Sequence, residues 1–390
     1  MRSTRRAYLQ GLLGSFTLPL LAGPGPAHGQ AATPAQAKPQ AKTQAPAPEL
    51  IWTNVETFGI EGRAWSDQPR ARYFDRFPAE AEKQIPAAVW SLSRDSAGMM
   101  VRFRTDASSI HARYRLRSER LAMPHMPATG VSGVDLYAQD EQGRWRWVAV
   151  SMPAARTVDA ALVGGIPSKP REYLLYLPLY NGVDSLEIGV PPKASLQGHA
   201  PRSQPVVFYG TSITHGACAS RPGMVHTAIL GRKLDVPVVN LGFSGNGRMD
   251  PGVVDWLARV EAAAYVIDCL PNMDAAAVTA RTAPLVKSLR AARPQTPIVL
   301  VEDRRNTNSW IHPSRTAHHD ANHKALRAAF DQLTEQGVAG LFYLPGDALL
   351  GDDSEGATDG SHPNDLGFLR QAEAFEPVLR RALAWRPNRS

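Results

Sequence analysis

Cysteine is scarce in this chain: 390 residues contain two, Cys218 and Cys269. Two thiols cannot build a zinc ribbon, an iron–sulfur cluster or a disulfide-dense scaffold, so an apolar core has to hold the fold. Long hydrophobic runs are missing too. No uncharged apolar stretch reaches the ~20 residues that cross a bilayer as a helix, which argues against a multi-span membrane protein. Neither sign of charge dominates, with 43 Lys and Arg against 36 Asp and Glu. Apolar residues make up 43% and charged residues 20%, too apolar a balance for a disordered chain. At roughly 150 residues per domain, the length suggests two to three domains.

What is present begins with a basic N-terminus. Arg2, Arg5 and Arg6 precede an apolar stretch over residues 11–22 and a small-residue site near Ala27 and Ala31. Basic end, short apolar middle and small-residue exit are the parts of an export signal, expected over residues 1–31. The Arg5-Arg6 pair resembles a twin-arginine signal, which implies a periplasmic or secreted protein; a general secretory signal is the alternative. No cysteine follows the apolar stretch, which argues against a lipid anchor. Residues 32–48 are Ala, Pro, Gln, Lys and Thr only, an extended linker. Taking Arg2, Arg5, Arg6, Lys38 and Lys42 from the net +7 leaves +2. The high isoelectric point is therefore an export effect, and no nucleic-acid partner is expected.

Residues 49–198 read as an N-terminal β-sandwich domain. Short runs rich in Val, Ile, Tyr, Phe and Trp at 87–93, 99–105, 109–116, 145–151, 172–178 and 185–190 are predicted strands. Several alternate apolar and polar residues, giving one buried face and one wet face. Residues 199–390 read differently. Continuous apolar runs at 205–209, 236–241, 265–270, 297–302 and 340–344 alternate with helical patterns at 224–234, 253–261, 275–293, 315–336 and 366–384. Such strands are covered by helices on both faces, so an α/β, doubly wound parallel sheet is expected. Ligands of such sheets bind beyond the C-terminal strand ends.

The loops at those ends carry reactive groups. They hold Gly210-Thr-Ser212, Asn240-Leu-Gly-Phe-Ser-Gly245, Pro271-Asn272 and Asp359-Gly-Ser-His362. A serine hydroxyl is a weak nucleophile and needs an adjacent base, which His362 can supply. A carboxylate must orient that imidazole, and Asp359 precedes it by three residues. An oxyanion needs preorganised donors; the candidates are the N–H groups of Ser212 and Gly245 and the Asn272 amide. His215 competes as base but has no carboxylate of its own in the sequence.

In this combination and order the chain resembles the SGNH (GDSL-type) hydrolase superfamily. Gly210-Thr-Ser-Ile matches its serine block, residues 240–245 its glycine block, Leu270-Pro-Asn272 its asparagine block and Asp359-Gly-Ser-His362 its terminal block. The resemblance implies a flavodoxin-like sheet, a serine esterase, Ser212 as nucleophile, His362 as base, Asp359 as orienting acid, and Ser212, Gly245 and Asn272 as oxyanion donors. Thr211 stands where the superfamily usually has Asp, and Pro271 and Met273 depart from its usual third block. Gly133-Val-Asp-Leu-Tyr137 is similar to the signature of the domain that precedes one bacterial branch of these esterases.

Other residues have two readings. Cys218 and Cys269 are disulfide candidates in an oxidising compartment, but two buried free thiols are preferred, because spacing cannot show the required Cα separation of roughly 4.4–6.8 Å. His318, His319 and His323 share one helix; lacking a third ligand type, they read as a solvated face rather than a metal site. Arg304, Trp310 and His312 occupy a polar loop that either lines the substrate site or is plain surface. Trp145 and Trp147 are core residues or a sugar-stacking pair. The expected protein is an exported esterase acting on a small-molecule or glycan ester, needing no metal or cofactor, with acetyl on carbohydrate as the expected substrate. The alternatives are a lipid acylhydrolase or thioesterase and a non-catalytic carbohydrate-binding or envelope protein. A long apolar tunnel would favour the former; intact Ser212, Asp359 and His362 argue against the latter.

Overall fold

The computed structural model describes residues 49–386, so the expected export signal and the linker over 32–48 lie outside the described residues. The first half forms β1 (Ile51–Asn54), β2 (Met100–Thr105), β3 (Ser109–Leu116), β4 (Asp135–Gln139), β5 (Trp145–Val150), β6 (Thr157–Gly164), β7 (Arg171–Tyr176), β8 (Val183–Val190) and β9 (Leu196–Gly198). They pair antiparallel into two sheets, ordered β1-β8-β3-β6 and β5-β4-β7-β2-β9. Alternation sends Ile110, Ala112, Tyr114, Leu186 and Ile188 of one sheet against Val101, Phe103, Leu136 and Leu175 of the other. This is the sandwich expected from the period-two pattern.

One expected strand is a helix. Residues 87–93 form α1 (Ala87–Ser93), with Val89, Trp90 and Ser93 buried on one face. A short apolar run does not distinguish strand from helix by itself. Here Pro86 opens the segment and two good helix formers follow it. The segment also leaves the sandwich: Trp65, Phe77, Ala81, Ile85, Val89 and Trp90 pack into a core of the second half. There Trp65 stacks on Phe77 at 4.9 Å and meets Trp256 edge-on at 5.5 Å.

After α2 (Ala128–Val131), the second half runs β10 (Val206–Gly210), α3 (Ser212–His215), α4 (His226–Leu234), β11 (Val238–Gly242), α5 (Pro251–Leu257), β12 (Ala264–Asp268), α6 (Ala275–Ala292), β13 (Ile298–Val301), α7 (Pro313–Glu335), β14 (Leu341–Leu344) and α8 (Asp365–Ala384). The sheet is parallel, ordered β11-β10-β12-β13-β14, the flavodoxin-like arrangement. Residue parity sorts its faces. Val207, Tyr209, Val239, Leu241, Tyr265 and Ile267 meet α5, α6, α7 and residues 64–90. Val206, Phe208, Val238 and Val266 meet α4 and α8. With both faces covered, β10, β11, β12 and β13 are buried along their full length.

The same period of two explains Gly133-Val-Asp-Leu-Tyr137. Val134 and Leu136 face the sandwich core. Asp135 and Tyr137 face the other way, toward the loop between α3 and α4. Asp135 Oδ2 accepts from the Gly223 N–H at 2.8 Å and from Arg221 Nη1 at 2.9 Å, while its Oδ1 accepts from Trp147 Nε1 at 3.0 Å. Arg221 Nη1 also donates to the Tyr137 hydroxyl, and Arg232 lies over the Tyr137 ring at 4.0 Å. A buried carboxylate is tolerable only with such partners. Trp147 is thus a half-exposed partner of Asp135, and Trp145 packs against the same cluster.

Candidate active site

β10 delivers its chain end to a sharp turn. Thr211 caps α3, its Oγ1 accepting from the Ile213 N–H at 3.3 Å, and Ser212 is the first helical residue. Thr211 therefore serves here as a helix cap. The Ser212 N–H is among the first donors of the helix, which have no intrahelical acceptor. Ser212 Oγ lies 2.8 Å from His362 Nε2, and His362 Nδ1 donates to Asp359 Oδ2 at 2.7 Å. Asp359 Oδ1 also accepts the N–H groups of His362 at 2.8 Å and Ser361 at 3.0 Å. Burial raises the Asp359 pKa, but the hydrogen bonds from the His362 N–H, the His362 ring and the Ser361 N–H outweigh it and hold the carboxyl below its ordinary value. The carboxylate is thus ready to fix the imidazole tautomer.

The glycine block leaves β11 directly beside this turn. At Gly242 a Cβ would sit 2.1 Å from the His215 nitrogen, so only glycine lets β11 approach α3. Gly245 has φ 71°, with open space where a side chain would be. After β12, Asn272 Oδ1 accepts from the Gly247 N–H at 3.3 Å, which leaves the Asn272 amide hydrogens free to donate elsewhere. Ser212, Gly245 and Asn272 therefore stand on the loops after β10, β11 and β12, where the strand order reverses.

Several residues around the site are not visible in the local sequence. Arg76, fully buried, donates to the carbonyls of Gly242 at 2.8 Å, Asn240 at 3.2 Å and Leu92 at 2.7 Å, and lies over the Phe243 ring at 4.9 Å. Burial lowers its pKa to about 10. It anchors the strand end that leads into the glycine block. Tyr180 donates to the Ser212 carbonyl at 3.2 Å and stacks on His215 at 4.0 Å. His125, from the loop before α2, brings its ring within 6.2 Å of the His362 ring. Leu92, Asp95, Arg117, Met123, Tyr180 and Ser244 line a cavity of about 490 Å³. The first half of the chain thus builds one wall of the cleft beside the glycine block. The signal for this was the Gly-x-Asp-Leu-Tyr block, which bolts the two halves together.

Other expectations change. His215 is buried, its Nε2 bonded to the Leu179 carbonyl at 2.7 Å; burial and nearby Arg76 hold its pKa well below the ordinary value. It packs in the interior against Tyr180. Arg304 does not line a substrate loop: it is 1% exposed and donates from Nη2 to both carboxylate oxygens of Asp268, at 2.8 and 2.9 Å. Trp310 is 78% exposed and borders a separate depression with Arg305, Asp347 and Asp352. His312 sits exposed at the start of α7. His319 and His323 are buried rather than solvated, His323 Nε2 donating to the Asp303 carbonyl at 2.7 Å and His319 Nε2 accepting from the Asn306 N–H at 3.3 Å; His318 alone is exposed. Cys218 and Cys269 are free and buried, the reading preferred from the sequence, and no disulfide joins them. Cys269 Sγ approaches the Tyr209 carbonyl at 3.6 Å, whereas Cys218 lies beside Asp359 and His362. Among the described residues, no helix is long and apolar enough to cross a membrane.

Residues 203–380 match the GDSL-like Lipase/Acylhydrolase family, and residues 50–196 match the GxDLY family, the N-terminus of SGNH hydrolase-type esterases. No curated protein matches the chain. Among solved structures, a protein of Bacteroides ovatus ATCC 8483 described as a GDSL-like lipase is 32% identical, covers 86% of this chain and 98% of its own, and superposes with a TM-score of 0.81. The salicylyl-acyltransferase SsfX3 from a tetracycline biosynthetic pathway is 19% identical, with coverage of 85% and 97% and a TM-score of 0.67. A family two carbohydrate esterase from Clostridium thermocellum, in complex with cellohexaose, shares the fold at 14% identity, with coverage of 74% and 94% and a TM-score of 0.54. Identity at the first level, over nearly the whole of the related protein, places the chain in the GDSL-like lipase/acylhydrolase family, as a carboxylic ester hydrolase.

Proposed function

We propose that the protein is an exported serine esterase that removes short acyl groups, acetyl above all, from carbohydrate. Ser212 Oγ attacks the ester carbonyl while His362 Nε2 takes its proton, and Asp359 stabilises the imidazolium. The tetrahedral oxyanion receives hydrogen bonds from the Ser212 and Gly245 N–H groups and the Asn272 amide. The tetrahedral intermediate collapses, His362 protonates the departing alcohol oxygen, and the acyl group stays on Ser212. Water, activated by the same histidine, then releases the acid.

The observation that carries the substrate reading is the cleft beside Ser244 and Asn246. Ser91, Asp95, Arg117 and Ser118 supply polar groups that could meet sugar hydroxyls, beside an apolar lining of Leu92, Met123 and Val131 that could hold a short acyl group. A long acyl chain would instead need an apolar channel. The fold shared with a carbohydrate esterase supports the same reading. Export rests on Arg5, Arg6 and the apolar stretch that follows.

Hydrolysis of p-nitrophenyl esters from acetyl to decanoyl tests this, together with acetate release from acetylated oligosaccharides. We expect kcat/KM to peak at acetyl and fall at least about tenfold by octanoyl, since each poorly housed methylene is worth on the order of 1 kcal/mol. A maximum at long chains would replace sugar by lipid. Inertness toward every ester would favour a binding protein.

A further inference from the structure

Cys218 is a residue the hydrolytic steps leave unused, yet it lies against the machinery that performs them. Its thiol, one carboxylate oxygen of Asp359 and one ring nitrogen of His362 all lie within 4.8 Å of one another. No other cluster of three such ligands occurs among the described residues. The thiol is buried, while the Asp359 side chain is 45% and the His362 side chain 27% exposed, so the group opens to solvent on the carboxylate side. Cys218 is also held at φ 71°, a left-handed conformation unusual for a residue with a side chain. The turn that holds it is pinned: the Ala219 N–H donates to Gly216 O at 3.1 Å, and Ser220 bonds Asp365 through its N–H at 2.9 Å.

We propose that Cys218, Asp359 and His362 form an inhibitory site for a thiophilic divalent cation such as Zn²⁺. The inference rests on the triad reading above, since it gives the same histidine a second occupation. Thiolate, imidazole and carboxylate are the three ligand types zinc takes, and in a tetrahedral site they stand about 3.5 Å apart. No pair lies more than 4.8 Å apart, so none has to close by much more than ~1 Å, while His362 Nδ1 and Asp359 Oδ2, now hydrogen-bonded at 2.7 Å, have to move slightly apart; both adjustments are within reach of side-chain rotation about a fixed backbone. Water supplies the fourth ligand from the open side. Two anionic ligands balance the ion's charge, so the bound group is neutral where it is half-buried. Zinc is held by the thiolate, so the ion displaces the Cys218 thiol proton to solvent on binding. With His362 and Asp359 drawn to the ion, Ser212 loses its base and hydrolysis stops. Mg²⁺ and Ca²⁺, which prefer oxygen ligands, have no such purchase.

The test uses the full chain with Zn²⁺ and with Co²⁺ as a spectroscopic probe. Zn²⁺ should inhibit wild-type hydrolysis reversibly, with recovery on chelation, while Mg²⁺ and Ca²⁺ leave it unchanged. Cys218→Ser should keep hydrolysis within about twofold and raise the Zn²⁺ midpoint at least about tenfold, a loss of roughly 1.4 kcal/mol of binding. Co²⁺ should give a near-ultraviolet thiolate-to-cobalt band in wild type and in Ser212→Ala, and none in Cys218→Ser. The band in Ser212→Ala reads the site without turnover, so failure of the hydrolytic reading would not mask it. Absence of that band in wild type, or equal inhibition of wild type and Cys218→Ser, would overturn the proposal.

Discussion

Replacing Ser212 with Ala should lower kcat on p-nitrophenyl acetate by on the order of 10⁶-fold while leaving the protein folded. The size follows from the linkage of Ser212, His362 and Asp359 at 2.8 and 2.7 Å. In a chain of that kind, loss of the nucleophile costs about as much as loss of the whole set, because each member acts through the next. The small structural cost also follows from position. Ser212 opens α3, and the cap that starts this helix is the Thr211 hydroxyl, which the substitution leaves intact. His362 loses one partner but keeps Asp359 and some solvent contact, so the stability change should stay within about 1 kcal/mol. Parallel kinetics and thermal unfolding check both halves. Near-wild-type turnover would point to another nucleophile.

Asn272→Ala should lower kcat by about 10²–10³-fold, or about 2.7–4 kcal/mol of transition-state stabilisation, with KM little changed. The donor matters only once charge has developed on the carbonyl oxygen, so the loss falls on kcat. Asn272 also accepts the Gly247 N–H, and a purely structural role would work through that bond. Asn272→Asp separates the two roles. It retains an acceptor for Gly247 but sets a carboxylate against the oxyanion. We expect the aspartate variant to be at least as slow as the alanine variant. Activity near wild type in Asn272→Asp would reduce Asn272 to a loop anchor.

What could be read in advance follows the range of the interactions involved. The run at 205–209 is continuous and apolar because β10 is covered on both faces, a property of each residue's own surroundings. The alternation at 109–116 likewise matches β3 residue for residue, because its pattern of burial is its pattern of polarity. The closeness of the Ser212 hydroxyl to His362, and of His362 to Asp359, could be anticipated because the loops at the C-terminal ends of parallel strands meet at one sheet edge, whereas the roles of Gly245 and Asn272 rested on the family resemblance. Residues 87–93 misled because a short apolar run fits a helix equally well once it packs on Trp65 and the layer around Trp256.

The errors at Arg304, His319 and His323 share one cause. A polar loop or helix face reads as wet unless its buried partners are known, and those partners lie far along the chain. Arg304 meets Asp268, 36 residues earlier, and Arg76 meets Gly242, 166 residues later. Such pairs are stable inside the protein because each charge is met by hydrogen bonds, a property of three-dimensional proximity that local composition does not carry. Arg76 therefore stayed invisible, although it anchors the strand that leads to Gly245.

The central claim is that Ser212 carries the acyl group, and a mechanism-based label tests it most directly. Wild-type protein treated with a fluorophosphonate should gain the mass of a single adduct, and peptide mapping should place it on Ser212. His362→Ala should label far more slowly, because the hydroxyl has lost its base. An adduct on another residue, or a hydrolytically active protein that takes no label on Ser212, would contradict the account.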